Sequence, residues 1–229
     1  MQLTKRMECL LAFCLPSAVI ADIGCDHGQV AAELARRGIA ERVIAADISA
    51  PSLDKARRLA EKLHIEDKVT CRLGSGLAVL KKGEANGAIF AGMGTPLIIE
   101  LLEAEKETAR ALDFLVLSPN VYPDRLRRYL TENGWLIEKE AMVHEDKFYP
   151  VMLARRGQPR PYSEDELLIG RWGDAPPEEL KEYLLFWETR YSAILAQLKE
   201  HGSADQEVEA RATEFTALRR QLFGGEKEE

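Results

Sequence analysis

Residues 18–35 constrain the fold more than any other part of the chain. Ala18, Val19 and Ile20 lead into Ala21-Asp22-Ile23-Gly24-Cys25-Asp26-His27-Gly28, and Val30, Ala31, Leu34 and Ala35 follow at helical spacing. The order strand, glycine turn, helix presents the free amides of a helix N-terminus to a nucleotide-like ligand. Asp47 stands twenty-five positions after Asp22 and closes a second apolar run, Val43-Ile44-Ala45-Ala46. A carboxylate at the tip of a second strand can accept both hydroxyls of a ribose.

The same alternation continues to residue 156. Strands are expected at Val19–Ile23, Arg42–Asp47, Val69–Leu73, Gly87–Ala91, Phe114–Ser118, Trp135–Met142 and Phe148–Ala154. Helical stretches separate the first five, which implies a doubly wound parallel α/β sheet. The last two are joined only by Val143–Lys147, too short for a helix, so they form an antiparallel pair at one edge. Ser49 before Pro51, Thr95 before Pro96 and Tyr122 before Pro123 mark helix starts, with the Ser and Thr as caps. A further helix, Leu3 to Leu15, is expected to pack beside the first strand. Its Lys5-Arg6 and apolar run imitate a signal peptide. Glu8, Pro16-Ser17 and the loss of the first strand on cleavage oppose that reading.

Gly157-Gln158-Pro159-Arg160-Pro161 reads as a linker. Beyond it Leu180, Leu184, Trp187, Tyr191, Ile194 and Leu198 form a heptad-like seam, opened by Asp174-Ala175-Pro176-Pro177. Ser203-x-x-Gln206 reads as a capping box for a second helix with Val208, Ala212, Phe215, Leu218 and Leu222. The expected domains are thus 1–157, an antiparallel helical hairpin over 162–223, and a disordered tail over 224–229. The hairpin either packs its own seam or clamps a macromolecular substrate.

In a chain of 229 residues, 46% hydrophobic and 30% charged, no apolar run is long enough for a membrane span. Cys9, Cys14, Cys25 and Cys71, with His27, His64, His144 and His201, lack metal-ligand spacing, so no metal is expected and the thiols read as reduced and cytoplasmic. A net charge of −7 gives no global sign of nucleic-acid binding. Local basic clusters, among them Arg125, Arg127 and Arg128, can still meet phosphates.

The turn chemistry separates two cofactor classes. A dinucleotide fold needs glycine two positions after Gly24, where pyrophosphate approaches the backbone. This chain has Asp26 there, which repels pyrophosphate and suits an ammonium or sulfonium; it can also cap the helix near Gly28. An NAD-dependent oxidoreductase is disfavoured on this ground. His27 is a neutral donor to the cofactor or a surface residue. Gly74-Ser75-Gly76 after the third strand allows close approach of a flat ring. Gly92-Met93-Gly94 ends the fourth strand, with Met93 able to lie against a cofactor. Pro119-Asn120 at the end of the fifth offers a carbonyl and an amide to adenine or another flipped base.

Ala21-Asp22-Ile23-Gly24-x-Asp26-His27, Arg72-Leu73-Gly74-x-Gly76-Leu77, Lys81-Lys82-Gly83-Glu84-Ala85, Ala91-Gly92-Met93-Gly94, Leu117-x-Pro119-Asn120 and Glu145-x-Lys147-x-Tyr149 occur in this order over roughly residues 3–155. As a set they resemble the bacterial tRNA (adenine(22)-N(1))-methyltransferase family, whose members have the class I S-adenosylmethionine-dependent, seven-stranded Rossmann-like fold. The hairpin looks like that family's C-terminal coiled coil.

The resemblance implies S-adenosylmethionine as cofactor, held by Asp22, Gly24, Asp26, His27, Asp47 and the loop Gly74, Ser75, Gly76, near Gly92 and Met93. It implies Asn120 and Pro119 at the base, with Asp26 as a further acceptor for the cationic product ring. Arg125, Arg127 and Arg128 are expected at phosphates and the hairpin on the tRNA body, in a monomer rather than an oligomer. Five positions depart from the family: Asp47 for Glu, Ser75 for an acid, Thr95 for Gly, Ser118 for Gln, and Pro150 for Glu after Tyr149. Rival readings are a methyltransferase of another RNA site, small molecule or protein, and a non-catalytic RNA-binding relative.

Overall fold

The computed structural model describes residues 2–171 and 178–224, which divide into two compact units, Met1–Ser163 and Glu164–Glu229. In the first unit the elements run α1 (Lys5–Phe13), β1 (Ser17–Ile23), α2 (Gln29–Arg36), β2 (Ala40–Asp47), α3 (Ala50–Lys62), β3 (Val69–Leu73), β4 (Gly87–Ala91), α4 (Thr95–Ala104), α5 (Lys106–Arg110), β5 (Phe114–Ser118), α6 (Pro123–Glu132), β6 (Trp135–His144) and β7 (Phe148–Arg156). The second unit holds α7 (Glu164–Ile169), α8 (Glu178–Glu200) and α9 (Gln206–Phe223).

All seven expected strands join one sheet in the order β3-β2-β1-β4-β5-β7-β6. The first five are parallel; β7 runs antiparallel to both β5 and β6. The central strands bury both faces, because helices cover both. One face carries Ile20, Val43, Ile89 and Val116 beneath Leu10, Leu34 and Leu53 of α1, α2 and α3. The other carries Ala21, Ile23, Phe90 and Leu117 beneath Ile98, Leu102, Leu126 and Leu130 of α4 and α6. The alternation of side chains along each strand produces these two core layers.

Three local expectations change. The N-terminal helix does not lie chiefly beside β1; α1 packs over β5, β6, β7 and α2. Its Leu10, Leu11 and Phe13 meet the apolar face bearing Val116, Val151 and Leu153, because α2 already occupies the ground over β1 and β2. Ser49 caps α3 as read, its hydroxyl accepting Ser52 N–H at 3.3 Å. Thr95 instead lies inside α4, whose cap is Gly94 with no side-chain bond. Ser203 is likewise displaced: Asp205 caps α9, accepting from Glu207 and Val208.

In the second unit α8 and α9 pack against each other through aromatic rings. Phe215 stacks on Trp187 at 6.1 Å and on Tyr191 at 5.7 Å, and Tyr183 meets it edge-on at 6.1 Å. Leu180, Leu184 and Leu218 are fully buried. The hairpin seam therefore exists, with Tyr183 as an unforeseen member. The expected opening at Asp174–Pro177 and the tail beyond Gly224 lie outside the described residues.

Candidate active site

The carboxyl ends of β1 and β4 and the start of α2 meet α1 and the β6–β7 turn around a cleft of about 350 Å³. Of the expected residues, Asp22, Gly24, Asp26, His27 and Gly92 line it.

The loop after β1 is built on three left-handed residues: Gly24 (φ +73°), Asp26 (φ +47°) and Gly28 (φ +68°). At Gly28 a Cβ would stand 2.6 Å from the Ala56 Cβ, so glycine is what lets α2 and α3 approach. The amides of Gly24 and Cys25 both donate to the Ala46 carbonyl, at 2.8 and 3.0 Å. Asp47 completes the loop. One carboxylate oxygen accepts Asp26 N–H at 3.0 Å and the other accepts Ser49 N–H at 2.8 Å. Asp47 thus holds the turn itself, and each oxygen retains a second lone pair for a ribose hydroxyl.

Asp22 is 5% exposed, and its carboxylate accepts the Ala31 N–H at 3.2 Å. Burial raises its pKa to about 7; the amide bond opposes that and the nearby Asp47 charge adds to it. Asp26 is exposed. His27 Nε2 lies 2.9 Å from Lys55 Nζ and 3.5 Å from Asp26 Oδ1. An ammonium only donates, so this ring nitrogen is the acceptor and Nδ1 carries the hydrogen.

The glycines of the third-strand loop have a different reason from the one expected. A Cβ at Gly74 would meet Val79 at 2.7 Å, and one at Gly76 would meet Leu101 at 2.6 Å. Their lack of side chains serves packing inside the protein. Ser75 between them is exposed. Gly92 is the contrasting case: its φ is +81° and nothing lies within 4 Å of the missing Cβ. Met93 reaches toward the first loop, its Cε 2.9 Å from the Cβ position of Gly24.

Asn120 is fastened to the end of β4. Its N–H donates to the Met93 carbonyl at 2.9 Å and its Nδ2 to the Gly92 carbonyl at 2.6 Å. Because a carbonyl faces the amide, the NH₂ end must lie there, which leaves Oδ1 buried and without a partner among the described residues. Asn120 does not itself line the cleft, and its buried, unpartnered acceptor calls for a donor such as solvent or a bound ligand. Pro119 beside it is buried.

Arg6 escaped the sequence reading as a site residue. It lines the cleft from α1. Its Nε donates to Ser118 Oγ at 3.0 Å and its Nη2 to the Ser118 carbonyl at 2.7 Å. Its guanidinium lies 4.4 Å from the centre of the Tyr149 ring, and its N–H donates to Glu145 Oε1 at 3.3 Å. Only the recurrence of Glu145 and Tyr149 in one motif hinted at this corner.

The three arginines of α6 do not act together. Arg125 and Arg128 are exposed, Arg125 lying 4.3 Å from the centre of the Tyr122 ring. Arg127 is 1% exposed and pairs with Glu140 through a 2.7 Å bond, so it is a core ion pair and not a phosphate contact. No group of three or more metal-capable side chains occurs among the described residues. Burial raises the Cys25 thiol far above its ordinary range, so no nucleophilic thiolate faces the cleft.

Residues 3–152 match the family model described as a methyltransferase domain. The chain is 34% identical over 158 residues to the tRNA (adenine(22)-N(1))-methyltransferase of Bacillus subtilis (strain 168), spanning 69% of this chain and 66% of that protein's length. The crystal structure of the B. subtilis M1A22 tRNA methyltransferase TrmK is similar over 96% of this chain and 97% of its own, at 26% identity and a TM-score of 0.78. The M. capricolum TrmK structure, in complex with S-adenosyl-homocysteine, has the same fold over 97% of this chain and 100% of its own, at 20% identity and a TM-score of 0.82.

Proposed function

The chain belongs to the tRNA (adenine(22)-N(1))-methyltransferase family, and from that premise we propose that it transfers a methyl group from S-adenosylmethionine to ring nitrogen 1 of an adenine in tRNA. The observation that carries the reading is the unpartnered Asn120 Oδ1 anchored on the carbonyl of Gly92, which is itself part of the cleft.

The donor set fits the cofactor. Asp22 and Asp26 offer negative charge to an ammonium and a sulfonium, and Arg6 offers a cation to a carboxylate. The open space over Gly92 accepts a close ligand, and Asp47 has lone pairs left for a ribose. Gly24, His27, Met93 and the Gly74–Gly76 loop frame the same edge of the sheet. When bound, S-adenosylmethionine supplies a methyl group already activated by positive sulfur.

The remaining work falls to position. Adenine nitrogen 1 has its lone pair free at neutral pH, so no side chain needs to remove a proton before attack. Asn120 Oδ1 and the Pro119 carbonyl accept from the exocyclic amine and fix the ring in the plane where that lone pair is presented. The methylated ring is cationic, and the same acceptors, with Asp26, stabilise the charge as it develops. Arg125 and Arg128 meet phosphates flanking the base, and the α8–α9 pair grips the tRNA body. Among the described residues no helix is long and apolar enough to cross a membrane, and we place this activity in the cytoplasm.

The test is incubation of the purified protein with unmodified bacterial tRNA and labelled cofactor, followed by nucleoside analysis. Label in 1-methyladenosine is expected, and Asn120→Ala lowers kcat about 100-fold with cofactor affinity within about twofold. Label in a metabolite or protein fraction, or binding of tRNA without transfer, refutes the reading.

A further inference from the structure

Thr95 stands where a helix cap is expected, yet its hydroxyl serves another element. The side chain is 0% exposed, and its Oγ1 donates to the Tyr122 carbonyl at 2.9 Å, across twenty-seven residues. Tyr122 needs such support. It is a non-glycine residue in the left-handed region, at φ 53° and ψ 51°, and no side chain caps the helix it begins. The helical bond to its carbonyl, from Leu126 N–H, is long at 3.4 Å.

The two segments touch elsewhere. Asn120 donates twice, to the carbonyls of Gly92 and Met93. A Cβ on Gly94 would stand 3.2 Å from Val121 Cγ2, so this glycine seats Val121 closely. Residues 92–95 and 120–122 are therefore held together by three hydrogen bonds and one close contact. The Thr95 bond lies at the far end from Asn120 and comes from a fully buried threonine. Without it, the strained Tyr122 is free to relax, and the segment loosens back to Asn120.

We propose that Thr95 is a positioning residue for the target base: its hydroxyl locks the Asn120–Val121–Tyr122 segment so that the Asn120 amide oxygen stays unpartnered and aligned with the incoming ring. The inference rests on the methyltransferase reading for its kinetic part only. Thr95 touches neither cofactor nor base, so its effect is on alignment.

Thr95→Val keeps the shape and removes the hydroxyl, whereas Thr95→Ser keeps the hydroxyl. Two measurements on the full chain decide the matter. In amide hydrogen exchange, the Asn120 and Leu126 amides exchange at least about tenfold faster in T95V and at wild-type rate in T95S, while the amides of β1 and β2 do not change. In methylation assays, T95V loses about tenfold in kcat with cofactor Kd and KM for tRNA within about twofold, and T95S restores kcat. Unchanged exchange in T95V overturns the lock. Faster exchange with wild-type kcat overturns the positioning role, as does a loss that T95S does not restore. If wild-type protein does not methylate tRNA, the substrate reading fails, and the exchange result still decides whether Thr95 locks the segment.

Discussion

On the proposed reading, Asp22 should make cofactor binding a proton-linked event. Its carboxylate is buried, accepts the Ala31 amide, and titrates at about 7 because burial disfavours its charge. An ammonium or sulfonium placed beside it favours the ionised form, so binding below that pKa must expel a proton. The sign follows directly: affinity rises with pH through about 7 and levels above it. Between about pH 5.5 and about pH 7.5 the ionised fraction grows about 25-fold for a pKa near 7, and affinity for S-adenosylmethionine grows with it. The same shift acts on folding without ligand. The folded state holds a proton that the unfolded state releases from about pH 4, so this contribution to stability falls as pH rises toward about 7 and is constant beyond. Calorimetric titration in buffers of different ionisation heat measures both affinity and protons released. Near pH 6.5 the wild type should release most of one proton, whereas Asp22→Asn should bind weakly, with no slope and no release. A flat wild-type profile, or a slope that persists in Asp22→Asn, refutes the argument.

Asp47→Asn should lower the stability of the ligand-free protein by about 2 kcal/mol, because one of two amide donors then faces an NH₂ group; thermal unfolding without cofactor checks this. Arg127→Ala should cost about 3 kcal/mol by removing the buried guanidinium that faces the Glu140 carboxylate, measured by denaturant unfolding. The double charge reversal Arg125→Glu with Arg128→Glu should leave stability within about 0.5 kcal/mol while weakening tRNA binding and flattening its salt dependence; an unchanged salt slope makes these residues a solvated face.

The strands were legible because each is an apolar run bounded by turn chemistry, and the β-hairpin because five residues are too few for the crossover that parallel strands need. The loop after β1 was legible because glycine and aspartate tolerate left-handed backbone, which Gly24, Asp26 and Gly28 adopt. Arg127 was misread although the signal was available. On a helix, Leu126, Arg127 and Leu130 share one arc, while Arg125 and Arg128 lie on another. Arg6 left no such signal, since its partner Ser118 is 112 residues away and meets it only through the fold. Helix caps failed for a related reason. A serine or threonine near a helix start can accept from its own helix, but Thr95 is buried and donates to the Tyr122 carbonyl at the start of α6.

The place of β7 between β5 and β6 bears on how the chain is made. On the ribosome β5 and β6 emerge first and cannot pair with each other in the final arrangement. The edge of β5 stays open until the last strand slots into the gap, and Arg6 cannot find its Tyr149 partner before then. Synthesis must therefore deliver the last strand before the cleft, with Glu145 and Tyr149 in its wall, is complete.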